Sequence, residues 1–205
     1  MSTKIRKEDF NLKKFKLKDL GVSLEYRRAF VHSNESEYET IKSSKSIARH
    51  PIVDELCNKL RVHFAVILGM LPEMYVDADL EKMTEDERVE YNAVVNCIFI
   101  TGISFVGSDD RKGYVITATK EIFPGRKIGI TTPVVYEDDK DYITGCALLS
   151  EICDSIEEEI FEYAINNKSA QLDLFNGYGA ASDSEEEDGE DSEDKEVGEG
   201  ASETN

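Results

Sequence analysis

The sequence predicts an α+β fold, in which an antiparallel sheet is covered by two long helices. Segments with strand character come in two groups, and each group is followed by a segment with helical periodicity. Short turn signals separate the last three strands, which favours antiparallel neighbours. The expected order is strand, strand, helix, strand, strand, strand, helix. Runs of antiparallel strands with segregated helices make a two-layer domain rather than a doubly wound one.

The first group of strands lies between residues 15 and 47. Apolar and polar residues alternate over residues 15–28 around Gly21, which is the period of a half-buried strand. A second strand is expected over residues 38–47, with the turn between the two strands at residues 32–36. This group therefore predicts two strands.

Two long helices are predicted from apolar spacing. The first begins at Pro51, a residue tolerated at a first helical position, and ends before Pro72. The last helix spans residues 141–167, with acidic residues opposite its apolar face. Between them, Thr84 and Glu87 form a capping box that predicts a short helix through about Tyr91.

A three-strand meander is expected between the helices. Residues 94–106 are rich in β-branched and aromatic side chains, with a bend expected at Gly102. Strands over residues 114–122 and 127–136 follow, after turns at residues 108–113 and 123–126. Each turn carries a basic pair.

The charge of the chain is unevenly distributed. The 205 residues have a net charge of −19, of which residues 1–50 contribute +5, residues 51–182 contribute −13 and residues 183–205 contribute −11. Residues 183–205 contain one Val and no other large apolar residue, so burial cannot offset the entropy of ordering them. We expect a flexible basic N-terminus over residues 1–11, a folded domain over 12–169, a docking peptide over 170–176 and a disordered acidic tail over 177–205.

Several classes of function are disfavoured by the composition. No apolar run approaches the length of a membrane span, and the first ten residues lack the apolar centre of a signal peptide. The four cysteines have no spacing typical of a metal site and are expected to be reduced, structural thiols. No catalytic motif is present. We therefore expect a cytoplasmic protein without membrane partner, cofactor or metal, which acts by binding rather than by catalysis.

Basic residues near the N-terminus and at the two turns are the candidates for contacting a nucleic acid. Phosphate contacts need only Lys or Arg within reach, so the negative net charge does not exclude them. Phe10, Phe15 and Tyr26 are candidates for stacking on bases, although an aromatic on a strand is more often part of the core. The basic candidates are Lys13, Lys14, Lys16, Lys18, Arg27, Arg28, Arg111, Lys112, Arg126 and Lys127.

A short peptide after the last helix is a candidate for docking on another protein. It consists of Gln171, Leu172, Asp173, Leu174 and Phe175. It resembles the peptide by which bacterial and phage replication proteins bind the sliding clamp. The resemblance implies that Leu174 and Phe175 fill an apolar pocket while the Gln171 amide sets the register. The alternative is that Leu172 and Phe175 fold back on the core and end the helix.

Three roles remain open for the acidic tail. Blocks of like charge are usually solvated extensions that keep a protein soluble. A tail of this charge can also compete with nucleic acid for a basic groove on the same molecule. The third role is mimicry, in which the carboxylates replace phosphates and occupy the DNA site of another protein.

Several segments together resemble an uncharacterised family of phage and prophage proteins. The resemblance lies in residues 17–23, 49–56 and 63–65, the meander, and residues 171–175. It implies a bacteriophage or bacterial setting among replication and recombination functions, but no defined activity. We expect a non-catalytic accessory protein of DNA replication or recombination that binds single-stranded DNA and a sliding clamp or other replication protein. The alternative is an acidic DNA mimic that inhibits a host DNA-binding protein.

Overall fold

The computed structural model describes residues 6–19, 21–32, 35–45, 49–108 and 111–166. Its main elements are β1 (Phe10–Lys18), β2 (Gly21–His32), β3 (Glu35–Lys45), α1 (Pro51–Ile67), α2 (Glu85–Val95), β4 (Ile98–Ser108), β5 (Arg111–Phe123), β6 (Arg126–Thr131), β7 (Val135–Tyr136) and α3 (Ile143–Ile165). Short 3-10 turns lie at Lys7–Asp9, Glu73–Tyr75 and Lys140–Tyr142. The predicted α+β class is confirmed.

The strands form a single antiparallel sheet with the order β3-β2-β1-β4-β5-β6. The two groups of strands meet where β1 pairs with β4, over Lys14 to Lys16 of β1. The short strand β7 pairs with the beginning of β5 beside this path. β3 and β6 are therefore the two edge strands of the described sheet.

The first predicted strand is wrong, because residues 15–28 form a hairpin rather than one strand. The chain turns after Lys18, and β2 runs back from Gly21. Leu17 pairs with Val22, and both belong to the helix side of the sheet. A tight turn therefore preserves the alternation of apolar and polar residues, so the pattern alone does not distinguish a hairpin from a continuous strand.

The structure also begins earlier than the expected domain boundary at residue 12. A 3-10 turn at Lys7–Asp9 leads directly into β1. Lys7 Nζ contacts Glu158 Oε1 of α3 at 2.6 Å. Residues 7–11 are thus part of the folded unit.

The meander is confirmed, with two changes of boundary. Val94 and Val95 end α2, so β4 begins only at Ile98. The segment expected as one strand over residues 127–136 is divided into β6 and β7. Pro133 lies between them, and proline cannot donate a backbone hydrogen bond to a neighbouring strand. The expected bend at Gly102 is a register shift between Ile100 and Gly102, where a Cβ would lie 2.5 Å from the Phe15 carbonyl oxygen.

The starts of α1 and α2 follow their sequence signals. His50 Nδ1 accepts a hydrogen bond from the Ile52 backbone N–H, and Pro51 occupies the first helical position. The capping box at Thr84 is present, with the Glu87 carboxylate accepting from the Thr84 backbone N–H at 2.8 Å. Both predictions are confirmed.

One core lies between the sheet and the helix layer. α1 packs against both α3 and β4. Among the side chains whose burial is described, the buried ones come from every main element except β3 and β6, with Phe15, Phe64, Ile116 and Ile156 at 0% exposure. Within this layer, His63 Nδ1 and the Tyr142 hydroxyl are 2.6 Å apart, which links α1 to the turn before α3. Among the described residues, no helix has the length and apolarity needed to cross a membrane.

Candidate nucleic-acid interface

The two faces of the sheet differ in composition. One face is apolar and packs against α1 and α3, and we call it the helix face. The other face, the open face, carries mainly polar side chains that are exposed or half-buried. The open face comprises Asn11, Lys14, Lys16, Lys18, Ser23, Glu25, Arg27, Ala29, Tyr38, Thr40, Lys42 and Ser44 on β1 to β3, and Phe99, Thr101, Ser104, Val106, Val115, Thr117, Thr119, Glu121, Lys127 and Thr131 on β4 to β6.

Strand registers place the basic residues of the open face in adjacent rows. In one row, Lys14 of β1 pairs with Glu25 of β2, which pairs with Lys42 of β3. In the next row, Lys16 pairs with Ser23, which pairs with Ser44. Side chains on one face of neighbouring strands are about 4.5 to 5.5 Å apart at Cβ. The cations are therefore close enough to contact one extended polyanion.

Two side-chain contacts connect the strands of this face. Lys18 Nζ donates to Ser44 Oγ at 2.8 Å, which spans β2. Lys42 Nζ lies 3.6 Å from Glu25 Oε2. Both lysines are exposed, so these contacts hold the ammonium groups near the surface without removing them from solvent.

Two shallow depressions meet along β1. One, of about 210 Å³, lies over β1 to β3 and is lined by Lys14, Lys16, Ser23 and Lys42 among others. The second, of about 160 Å³, lies over β1, β4 and β5 and is lined by the same two β1 lysines together with Thr and Ser side chains. A ligand that crossed from one depression to the other would pass over Lys14 and Lys16.

Charge is divided between the sheet and the helices. The seven strands contain 13 Lys or Arg and 5 Asp or Glu, whereas the three α-helices contain 3 Lys or Arg and 12 Asp or Glu. The sheet therefore has a net charge of +8 and the helices of −9. α3 alone carries six acids and no basic residue. The acidic residues of the domain thus lie in the helices and the connecting segments rather than in the strands.

Four of the predicted basic residues meet on the open face, namely Lys14, Lys16, Lys18 and Arg27. Lys13 lies in a β-bulge between Leu12 and Lys14. Arg28 is half-buried on the helix face. Burial raises the pKa of the neighbouring Tyr26, and the charge of Arg28 opposes part of that rise. The N-terminal block is therefore divided between the two faces.

Arg111 and Lys112 lie on opposite faces of β5, and neither joins the rows of basic residues on β1 to β3. Arg111 Nε donates to Asp138 Oδ1 at 3.0 Å, and its guanidinium lies 4.0 Å from the centre of the Tyr136 ring. Lys112 Nζ contacts Asp154 Oδ1 of α3 at 3.3 Å. Burial lowers the pKa of Lys112, and Asp154 raises it enough that the net shift is upward. Lys112 therefore faces the helix layer, whereas Arg111 lies on the open side at the β4–β5 turn and is paired with Asp138.

Arg126 and Lys127 lie at the opposite end of β5 from Arg111. The 13 residues of β5 separate the two turns by about 40 Å at the usual rise of a strand. Lys127 Nζ is 4.6 Å from the centre of the Phe99 ring, and both side chains belong to the open face. Lys127 pairs in register with Glu121 on the same face, so this turn places one cation beside one acid.

The aromatic residues proposed to stack on bases lie on the helix face. Phe10, Phe15 and Tyr26 are buried, and Phe10 packs against Phe161 of α3. The open face presents two other aromatics instead, Tyr38 at 67% exposure and Phe99 at 36% exposure.

The sequence reasoning missed Lys42 and Tyr38. They lie in β3, which was expected over residues 38–47 but was not considered as a binding surface. Ile41 provides the signal, because it packs against the core and its neighbours at even numbers must point to the other face. Strand alternation in β3 therefore contains the information needed to find both residues.

The docking peptide Gln171–Phe175 and the acidic tail lie outside the described residues. The described ranges also contain no group of three or more His, Cys, Asp or Glu arranged to hold a metal ion. The cysteines they contain are unpaired, and burial raises the pKa of the Cys57 thiol to about 12.

Comparison with known proteins gives no assignment. No family model, no curated protein and no solved structure matches this chain. Functional conclusions therefore depend on the residues and geometry of the chain itself.

Proposed function

We propose that this protein binds single-stranded DNA across the open face, as a non-catalytic accessory protein of phage-type DNA replication or recombination. The observation that carries the proposal is the set of adjacent basic rows on β1 to β3, which faces away from an acidic helix layer. Lys14, Lys16, Lys18, Arg27 and Lys42 supply the phosphate contacts. The phage and replication setting derives from the resemblance of the sequence.

The shape of the face favours a single strand over a duplex. Direct readout of B-DNA requires a helix or a β-ribbon that enters the major groove. The open face is a sheet surface with shallow depressions, on which an unpaired strand can lie with its phosphates over the lysines. Tyr38, at 67% exposure beside this surface, offers a ring on which a base can stack.

The part of the open face on β4 and β5 contributes hydrogen bonds rather than charge. Thr101, Ser104 and Thr117 lie next to the β1 lysines and are half-buried. Hydroxyl groups of this kind bond phosphate and sugar oxygens without reading a sequence. The proposed binding is therefore tolerant of base sequence and sensitive to salt.

The test is fluorescence anisotropy of a labelled single-stranded oligonucleotide with the full-length protein. We expect the double variant Lys16→Glu, Lys42→Glu to weaken binding roughly tenfold or more at low salt. Removing two phosphate contacts should also make the negative slope of log affinity against log salt shallower by about 1.4.

A matched control is available on the helices. Lys59 of α1 and Arg88 of α2 are exposed. Replacing both with Glu changes the net charge by the same amount as the Lys16→Glu, Lys42→Glu variant. When both double variants are compared at physiological salt, where long-range charge effects are largely screened, Lys59→Glu with Arg88→Glu should leave affinity within about twofold while the open-face variant stays weakened. Equal losses in both double variants would show that net charge and not the open face governs binding.

We also propose that Gln171 to Phe175 docks the protein on a sliding clamp or another replication protein. The support is the match of all five residues to the pattern of clamp-binding peptides. Leu174→Ala with Phe175→Ala should abolish clamp binding and leave DNA affinity unchanged. Unchanged clamp affinity in this variant would reduce the peptide to a helix terminus.

The acidity of the helix layer favours a second candidate, an inhibitor that mimics DNA. α3 carries six acids, and the contacts described above assign two of them, Asp154 and Glu158, to lysines. A mimic should show no DNA affinity and should retain a DNA-binding host protein in a salt-sensitive manner. The anisotropy titration therefore separates the two candidates.

A further inference from the structure

The last described residues of the chain lie beside β3, the edge strand next to β2 and β1. Lys45, the final residue of β3, donates from Nζ to the carbonyl oxygens of Tyr163, at 3.2 Å, and Ala164 near the end of α3. α3 ends at Ile165. The C-terminal segment therefore starts at the edge of the sheet, next to β3.

This edge is also where the open face begins. Ser44, which precedes Lys45, belongs to the open face and accepts the hydrogen bond from Lys18. Because β3 is an edge strand, a chain that leaves α3 meets Lys42 on this first strand and crosses β2 before it reaches the lysines of β1. Neighbouring strands are about 4.8 Å apart, so β1 lies roughly 10 Å farther in.

The acidic block of the tail is within reach of this surface. Sixteen residues lie between Asn166 and Asp183, so the two are seventeen Cα-to-Cα steps apart, which corresponds to at most about 60 Å of extended chain. Residues 183–194 contain nine Asp or Glu and no Lys or Arg. They are therefore long enough and sufficiently charged to meet the rows of Lys14, Lys16, Lys18 and Lys42.

The open face already accommodates a carboxylate. Glu25 lies between Lys14 and Lys42 in the same row, and its Oε2 is 3.6 Å from Lys42 Nζ. Each exposed ion pair contributes little alone, about 0.2 to 1 kcal/mol. Several pairs formed by one tethered segment act together, because tethering gives an effective concentration in the millimolar range.

From these observations we infer that residues 183–194 bind the open face of their own molecule, over β1 to β3, and compete there with single-stranded DNA. The contact itself is independent of DNA, whereas the competition rests on the proposed function. Salt weakens both the tail contact and the DNA contact with the open face. An oligonucleotide carries a phosphate at every nucleotide, so it displaces the tail when the oligonucleotide concentration is high enough.

The contact can be tested without DNA by zero-length carbodiimide cross-linking of the full-length protein, followed by mass spectrometry. We expect cross-links from carboxylates of residues 183–194 to Lys14, Lys16, Lys18 or Lys42, in a product that remains monomeric at all protein concentrations. Lys59 and Lys82, on the helix side, serve as internal controls. Absence of links to the open face, or equal links to Lys59 and Lys82, would overturn the inference.

Competition is tested with a full-length variant in which the nine acids of residues 183–194 become Asn or Gln. This variant should bind a single-stranded oligonucleotide at least tenfold more tightly at low salt, and the difference should shrink as salt is added. A tail with the same residues in permuted order is the matched control and should behave like the wild type. Equal affinity of the neutralised and wild-type proteins would contradict the competition.

The two proposals fail in different ways. If neither the wild type nor the neutralised variant binds DNA while the cross-links persist, the DNA-binding function is wrong and the intramolecular contact stands. If both proteins bind DNA equally and no cross-link forms, the open face retains its function and the tail does not regulate it.

Discussion

The two faces of β1 are built from one short sequence, yet they differ in burial and charge. Leu12 and Phe15 are at most 1% exposed and pack in the core, whereas Lys16 and Lys18 are exposed on the open face. A strand that only needed to fold could carry any small polar residue at the second set of positions. The four lysines within the nine residues of β1 are the cations that the proposed phosphate contacts require.

This difference separates stability from binding. Truncation on the helix face removes buried apolar contacts and lowers the free energy of unfolding, while substitution on the open face leaves the core intact.

The largest effect is expected for Phe15→Ala. Phe15 is 0% exposed, and removal of a buried aromatic ring costs about 3 to 5 kcal/mol. Its neighbour on the other face provides the control, since Lys16→Ala should change stability by no more than about 0.5 kcal/mol. Urea denaturation monitored by circular dichroism measures both. Similar losses in the two variants would mean that the open face also contributes to the core.

Acid should destabilise the helix layer through His63. Burial lowers the pKa of His63 to about 4, whereas an unfolded histidine titrates near pH 6.5. Between these values only the unfolded chain takes up the proton, so the free energy of unfolding decreases as pH falls from about 6.5 to 4. The loss should reach about 3 kcal/mol at pH 4, and the group contributes no pH dependence above pH 6.5. The Tyr142 hydroxyl stays protonated throughout because burial raises its pKa.

The comparison that isolates this effect uses His63→Gln, which removes the titrating group and keeps a side chain that can accept a hydrogen bond. Urea denaturation between pH 4.5 and 7 should give a flatter dependence of stability on pH for this variant than for the wild type. Parallel curves for the two proteins would assign the acid sensitivity to other groups.

Tyr142→Phe should have an intermediate effect. The hydroxyl is 2.6 Å from His63 Nδ1, and His63 is 1% exposed. Its removal leaves a buried polar atom without that partner, which costs about 1 to 3 kcal/mol. Thermal unfolding should detect the loss, while single-stranded DNA affinity should not change. A variant as stable as the wild type would show that this hydrogen bond makes no net contribution.

The smallest effect is expected for Tyr38→Ala. Loss of one stacked base should weaken DNA binding by about 1 kcal/mol, or roughly fivefold, with little dependence on salt. Stability should remain within about 0.5 kcal/mol of the wild type because Tyr38 is 67% exposed. Tyr38→Phe keeps the ring and should bind like the wild type in the same anisotropy titration. Equal affinity of the Ala variant would exclude Tyr38 from the interface.

The sequence was sufficient to predict the α+β class, because long helices and antiparallel strands have distinct periods. It was not sufficient to count the N-terminal strands. The β1 to β2 turn keeps Leu17 and Val22 on the same face, so the alternation continues through the turn as if the strand were unbroken. Pro133, by contrast, was visible in the sequence and could have divided β6 from β7.

The candidate site was predicted in part for a related reason. Alternation alone places Lys14, Lys16 and Lys18 on one face, since strand period is a local property. The positions of Arg111 and Lys112 depend on contacts with Asp138 and Asp154, which are 27 and 42 residues away in the chain. Such pairings are decided by tertiary packing, so the basic residues of that turn could not be separated from the interface by sequence reasoning.

The central claim is that the open face is the surface that binds nucleic acid. Lysine acylation of the unmutated full-length protein, with and without a single-stranded oligonucleotide and read out by mass spectrometry, tests it most directly. We predict that Lys16, Lys18 and Lys42 lose reactivity when the oligonucleotide is present, while Lys59 and Lys82 keep theirs. Protection of Lys59 and Lys82 alone, or unchanged reactivity at all five lysines, would contradict the claim.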